Sequence, residues 1–442
     1  MTFLGIWALL WTASAGTSTS AIKLPFVAYS LENGLKVILS EDHTLPITAV
    51  NVWYHAGPLN EPPRRTGFAH LFEHLMFQGS KHVGDDMHFA LLEARGASGT
   101  NGTTDYDRTN YFETVPAQEL ELALWLESDR MGFLRETLTQ AKLDTQREVV
   151  LNERRQSYDN APYGPSSERL VQLLFPPAHP YFGHIIGSMA DLRAAELADV
   201  VAFHDRFYAP ANATLALVGD FDPGQARAMI ARYFGTLPAR PAPAPVLVTT
   251  PPILEERRAE VREPVSLPRL TMAWLAPAAY RPGDADADVL AAILGGGTAS
   301  RLHQRLVYDL QLAQGVGAQQ QSLAAVSIFQ VTATAKPGVT LARLEAALEA
   351  VLQEMRQTPP TAAEIDRARN GLLTSMLLSL QNVGGYYGRA DILNRYSQYV
   401  GDPGYMPQDL ARYAAVTPAS VQALAQTLLE PAHRAVVLTV PK

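Results

Sequence analysis

The stretch ARPAPAPVLVTTPP, residues 239–252, constrains the fold of this chain more than any other. Proline fixes φ and lacks an N–H, so at this density it sits neither in a helix interior nor in a central strand. We read residues 239–254 as a semi-rigid linker. It separates residues 23–238 from residues 255–442, and the two portions resemble each other weakly. The first ends YAPANATLALVGDF (208–221) and the second LEPAHRAVVLTVP (429–441). Each of these is a proline turn, a few polar residues and a β-rich apolar run. Each portion also opens with a strand-like stretch that leads into a helical one: residues 36–54 into a helix near residue 70, residues 266–276 into Asp288–Leu294. Helical spacing of apolar residues recurs over Gln118–Met131 and Leu341–Met355, and Tyr106–Val115 reads as a strand. A repeat of this length is a duplicated domain rather than a solenoid unit. The expected fold is α+β, with two homologous domains, each a mostly antiparallel sheet packed with helices.

The first 22 residues read as a secretory signal. Phe3–Trp11 (FLGIWALLW) is apolar but too short to span a bilayer, and Ala13-Ser14-Ala15 supplies an A-x-A cleavage signal. No Lys or Arg precedes the apolar run, which leaves an uncleaved anchor as the second reading. The expected location is beyond a membrane, in the periplasm, with no membrane segment in the mature form. Among 442 residues the net charge is −8, which offers no basic surface for nucleic acid. The chain has no cysteine, so any transition metal must rest on His, Asp and Glu.

GFAHLFEHLMFQG (67–79) packs two histidines and a glutamate into an apolar stretch. Thr66 is a good N-cap and Gly79 a good stop. At about 100° per residue, Phe68, Leu71, Phe72, Leu75 and Met76 form one face. His70, Glu73 and His74 fall opposite, with Phe77 the one apolar residue among them. The histidines stand one turn apart, so both imidazoles can reach one ion. This is H-x-x-E-H. Two neutral imidazoles suit Zn²⁺ with a position left open, and a neighbouring carboxylate can take a proton from water as it attacks an amide. The competing reading is a solvated face that happens to carry these letters. His55, His82 and His88 lack ligand spacing and read as surface or loop residues.

The segments 55–80 (HAGPLNEPPRRTGFAHLFEHLMFQGS), 99–116 (GTNGTTDYDRTNYFETVP), 123–131 (ALWLESDRM) and 146–164 (QREVVLNERRQSYDNAPYG) resemble the pitrilysin/insulysin/mitochondrial processing peptidase family. The resemblance implies a zinc endopeptidase with one Zn²⁺ per chain, held by His70, His74 and a downstream glutamate, with Glu73 as general base. Glu148 and Glu153 compete for the third ligand. The family's Arg-x-Val-(two apolar)-x-Glu run, here REVVLNE, selects Glu153. A second family glutamate seven residues earlier is replaced by Gln146, which can still hydrogen-bond around the metal. The 99–116 stretch resembles the family's edge strand beside the zinc. A substrate adds there as a further strand, and Asn101 would face the catalytic centre.

The second portion departs from the family. Active single-chain members carry an Arg and a Tyr that grip the substrate main chain, in a pattern matched here by SRLHQRLVYDLQLAQ (300–314). Val307 stands in place of the Arg and Gln314 in place of the Tyr, with Arg305 and Tyr308 out of register. The second domain is therefore read as catalytically incomplete. The partner implied is a homologous subunit that supplies the Arg/Tyr pair in a heterodimer, with a homodimer possible, the two chains enclosing a chamber for peptide substrates. A non-catalytic, peptide-binding subunit is the alternative. LGGGTAS (294–300) lacks the Lys-Ser/Thr of a phosphate loop and reads as a flexible loop or helix end.

Overall fold

The computed structural model describes residues 22–442, so the apolar run and cleavage signal expected near the N-terminus lie outside the described residues. Within them, no helix is long and apolar enough to cross a membrane.

Residues on each side of the linker build one sheet. The first holds β1 (Val27–Ser30), β2 (Lys36–Glu41), β3 (Ile47–Tyr54), β4 (Ser98–Asp105), β5 (Arg108–Pro116) and β6 (Ala213–Gly219), in the order β1-β2-β6-β3-β5-β4. The second holds β7 (Arg257–Glu263), β8 (Arg269–Ala276), β9 (Ala313–Gln321), β10 (Ser327–Ala335) and β11 (Arg434–Pro441), in the order β7-β11-β8-β10-β9. In each half the opening strand of this pattern pairs parallel with the closing one, β2 with β6 and β7 with β11. The other pairings are antiparallel. Strand for strand, β2, β6, β3, β5 and β4 repeat as β7, β11, β8, β10 and β9, which is the duplication that the sequence hinted at. β1 is an addition to the first half. Residues 239–254 carry neither helix nor strand.

The strand expected over Tyr106–Val115 is β5, shifted because Tyr106 and Asp107 form the turn from β4. The helices expected at 118–131, 288–294 and 341–355 are Leu120–Phe133, Asp284–Gly295 and Leu341–Gln357. The LGGGTAS stretch is a helix end, with Gly297 at φ +81° just beyond it.

The halves cover each other's sheets. Ile38, Ala49, Ala216 and Val218 on one face of the first sheet pack on Ala390 and Leu393 of the Arg389–Tyr399 helix. Ala273, Ile328, Ala435 and Val437 of the second sheet pack on Leu170, Val171 and Leu174 of the Gly164–Leu174 helix. The turn between β4 and β5 is also latched to the second half. The Asp107 carboxylate accepts bonds from the Ala324 N–H (2.8 Å) and the Tyr399 hydroxyl (3.0 Å), as well as from Tyr181. β4, at the sheet edge, is thereby held from both sides of the linker.

Candidate metal centre

The motif helix spans Phe68–Leu75 and buries Phe68, Leu71, Phe72 and Leu75, the face expected from the periodicity. Met76 just beyond is buried too, and Phe77 stacks on Phe89 at 4.5 Å. The helix ends differ from expectation. Thr66 is not the N-cap, because its hydroxyl is turned to Asp191 at 2.5 Å. Gly67 takes that place in the left-handed region, φ +89°. The helix N–H groups are met instead by Glu61, whose two oxygens accept from Gly67 N–H (3.0 Å) and Ala69 N–H (2.8 Å). Burial raises the Glu61 pKa to about 8 against the pull of these two bonds, so what holds the group there is the free N–H donors of the first turn. The helix stops at Leu75, and Gly79 lies in the turn that follows, at φ +84°.

A side chain at residue 67 would strike the Ile186 carbonyl at 2.5 Å, so glycine lets residues 186–187 cross tightly over the helix start. That crossing is tied to the second helix of the site, Gln140–Arg154, through Arg154 Nη1 to the Gly187 carbonyl at 2.5 Å. Arg154 also bonds Glu168 at 2.6 Å. Its neighbour Glu153 then faces the motif helix.

The result is one cluster. Glu153 Oε1 lies 3.6 Å from His70 Nε2, and Glu153 Oε2 lies 3.2 Å from His74 Nε2. The imidazole centroids are 4.8 Å apart, with the planes at 69°. Burial drives the His70 pKa down to about 4, which keeps the ring neutral and its lone pair available. The bond with His74 holds Glu153 below the ordinary carboxylate range, so it is charged. Two imidazoles and one carboxylate are a three-donor set of the kind that binds Zn²⁺ with a fourth position open, and the residues fit that ion. Glu148, the rival ligand, is exposed on another face of its helix. Gln146 is buried two turns before Glu153.

Glu73 lies beside the cluster and in contact with β4. Thr104 Oγ1 donates to Glu73 Oε2 at 2.6 Å, and burial raises the Glu73 pKa. A Cβ on Gly102 would come within 2.8 Å of Glu73 Cγ, so glycine allows strand and base to touch. Since Gly102 and Thr104 face the helix, strand alternation puts Asn101 on the other side of the sheet, exposed on the edge strand. Its side chain therefore does not meet Glu73. Thr104 and Gly102 do, and sequence reading had passed over both.

His88 corrects the surface or loop role expected of it. It is 3% exposed and packs edge-on against Phe77, with centroids 5.5 Å apart. With Glu113 and Glu127 it forms the second close group of three donors among the described residues. That group is already occupied by a cation of the chain, because the Arg130 guanidinium pairs with Glu127 and lies 4.4 Å from the Tyr111 ring centre. His82 is half exposed and bonded to Asp129 at 2.5 Å, and His55 contacts Thr214 at 3.3 Å. In the second half, Val307 packs on the apolar core, Arg305 pairs with Asp309 at 3.7 Å, and Tyr308 is exposed.

Two family models match the chain, "Insulinase (Peptidase family M16)" over residues 36–172 and "Peptidase M16 inactive domain" over residues 194–372. The zinc protease PqqE of Helicobacter pylori is 26% identical over 399 residues, 89% of this chain and 87% of that protein. The probable zinc protease PqqL of Escherichia coli is 30% identical over 220 residues, 48% of this chain and 23% of that protein. Among solved structures, a protease from H. pylori has a TM-score of 0.87 at 24% identity, covering 95% of this chain and all (100%) of that one. The periplasmic protease PqqL from E. coli has the same fold at a TM-score of 0.76 and 20% identity, covering 95% of this chain and 48% of that one.

Proposed function

Because this chain belongs to the insulinase (M16) family of peptidases, we propose that it is a zinc-dependent endopeptidase acting on peptides or unfolded polypeptides. The observation that carries the reading is the convergence of His70, His74 and Glu153, with Glu73 held by Thr104 at the edge strand beside them. Zn²⁺ bound by the three ligands would supply Lewis acidity toward a peptide carbonyl and toward water. The chain's own residues do the rest. β4 offers unpaired main-chain groups on its outer edge, so an extended peptide can add there as a further strand. Glu73 takes the proton of the attacking water and delivers it to the leaving nitrogen. Gly102 lets the peptide-bearing strand lie against that carboxylate. Asn101 is assigned to substrate contact along the strand, and Gln146 to hydrogen bonding behind the ligands.

Val307 and Gln314 leave the second half without the family's substrate-gripping pair at those positions. We assign that pair to a homologous partner chain, which would close a chamber around the site. Location in the periplasm agrees with the N-terminal apolar run and with the periplasmic relative PqqL. The same departure, together with the inactive-domain match over residues 194–372, favours one second reading, a non-catalytic peptide-binding subunit.

Metal analysis and one substitution separate the two. Glu73→Gln should retain one zinc per chain and lose hydrolysis of a quenched peptide by a factor of at least about 10³. A chain that binds no zinc, or a Glu73→Gln variant that still turns over, sinks the enzyme reading.

A further inference from the structure

At the Asp105 end of β4 a cavity of about 880 Å³ opens between the halves, with Thr104 and Asp105 on its rim. Thr104 is the residue that holds Glu73, so the cavity adjoins the catalytic centre. Its carboxylates already have partners. Arg412 bonds Asp284 at 2.9 Å and Asp409 at 2.6 Å. The Tyr413 hydroxyl donates to Asp288 at 2.6 Å, and Asp105 accepts the Tyr106 N–H at 2.7 Å.

Among the charged side chains that line the cavity, Arg395, on the Arg389–Tyr399 helix, has no hydrogen-bonded partner among the described residues. It lines the cavity, with its guanidinium over the rings of Tyr387 and Tyr399 at 5.8 and 5.9 Å. Its Nε is buried without an acceptor. Asp391, one turn earlier, is committed to the Trp53 indole at 3.0 Å, the Asn110 amide at 3.1 Å and the Tyr387 N–H at 3.1 Å. A guanidinium stays charged and presents five donors in a planar fork. Burying such donors unpaired is costly, and the fork matches a carboxylate at two points.

We propose that Arg395 is a receptor for a peptide carboxylate, an Asp or Glu side chain or a free C-terminus, on the part of the substrate that runs past Asp105. The inference rests on the reading that β4 takes the peptide as an added strand. It also gives the second half a substrate-binding arginine of its own, on a different element from Val307 and Gln314.

The test is binding of fluorescent peptides to the zinc-loaded Glu73→Gln full-length chain. One set scans Glu against Gln along the peptide, and another compares free-acid with amidated C-termini. One carboxylate is expected to tighten binding about tenfold over its amide. Whether it is a side chain or a terminus identifies the source. Arg395→Gln should erase that difference, and Arg395→Lys should reduce it. Equal binding of every acid and amide pair overturns the proposal without need of a variant, as does a preference that survives Arg395→Gln. Hydrolysis by the unsubstituted chain is measured in parallel. Preference with no hydrolysis, either alone or mixed with a homologue that carries the Arg/Tyr pair, would leave the carboxylate site standing and remove the peptidase reading.

Discussion

Glu61 shows what one residue contributes and why it was not legible. Its two bonds fix the first turn of the helix that carries His70, Glu73 and His74. Local rules point to Thr66, the ordinary capping residue directly before the helix. They cannot foresee a carboxylate folded back from six positions upstream, or that Asp191 claims the Thr66 hydroxyl. The three donors named from sequence do lie together: H-x-x-E-H sets His70 and His74 one turn apart by itself, whereas Glu153 joins them from a second helix, which only the resemblance pointed to. Asp288 carries a prediction at the same scale. Burial pushes its carboxyl from 3.8 up to about 7, against the pull of the Tyr413 bond. A pKa raised on folding means that the native state binds the extra proton. The stabilisation is full below about pH 4 and is lost as pH rises through about 7. Asp288→Asn should therefore flatten the fall in Tm between those limits, as followed by thermal melts across pH. An unchanged slope would remove Asp288 as its source.

At the scale of elements, β4 is the part whose position the chemistry depends on most. Its sequence, SGTNGTTD, has no apolar alternation and reads as a turn-rich stretch. It becomes a strand because β5 pairs along it and because Asp107 latches the hairpin to the second half. β5, with RTNYFETVP, was legible from its own residues, whereas β4 was legible only through resemblance. The pleat then decides that Gly102 and Thr104, rather than Asn101, meet Glu73. Gly102→Ala tests that geometry. The new methyl would lie 2.8 Å from Glu73 Cγ and must displace it. The backbone there is ordinary for a strand, so the fold and the zinc content should hold. We expect kcat to drop at least about tenfold, since a base misplaced by an ångström loses much of its effect. Wild-type kcat in a folded, zinc-loaded Gly102→Ala chain would show that strand and base are not coupled.

For the whole molecule, the two sheets repeat one strand order, and each half lends a helix to cover the other's sheet. The duplication was legible in the proline linker and the matching strand endings. The exchange of helices was not, because residues 164–174 and 389–399 show amphipathic helices without saying which sheet they serve. The exchange packs the two halves on each other, with the candidate metal centre in the first and Arg395 on the helix that the second lends to the opposite face of the first sheet. We propose that a further, substrate-gripping wall comes from a second chain, because Val307 and Gln314 stand where the family's Arg and Tyr would be. PqqL, whose chain matches this one over only 48% of its length, carries further sequence beyond the matched part. If a second chain supplies that wall, the isolated protein should bind one zinc yet cleave a quenched peptide slowly. A homologue that carries the Arg/Tyr pair should raise kcat/KM by about two orders of magnitude or more, as expected when groups that bind the transition state are added. Mixing the purified chains, with sizing chromatography to follow complex formation, decides the matter. Full activity of the isolated chain would remove the need for a different partner chain.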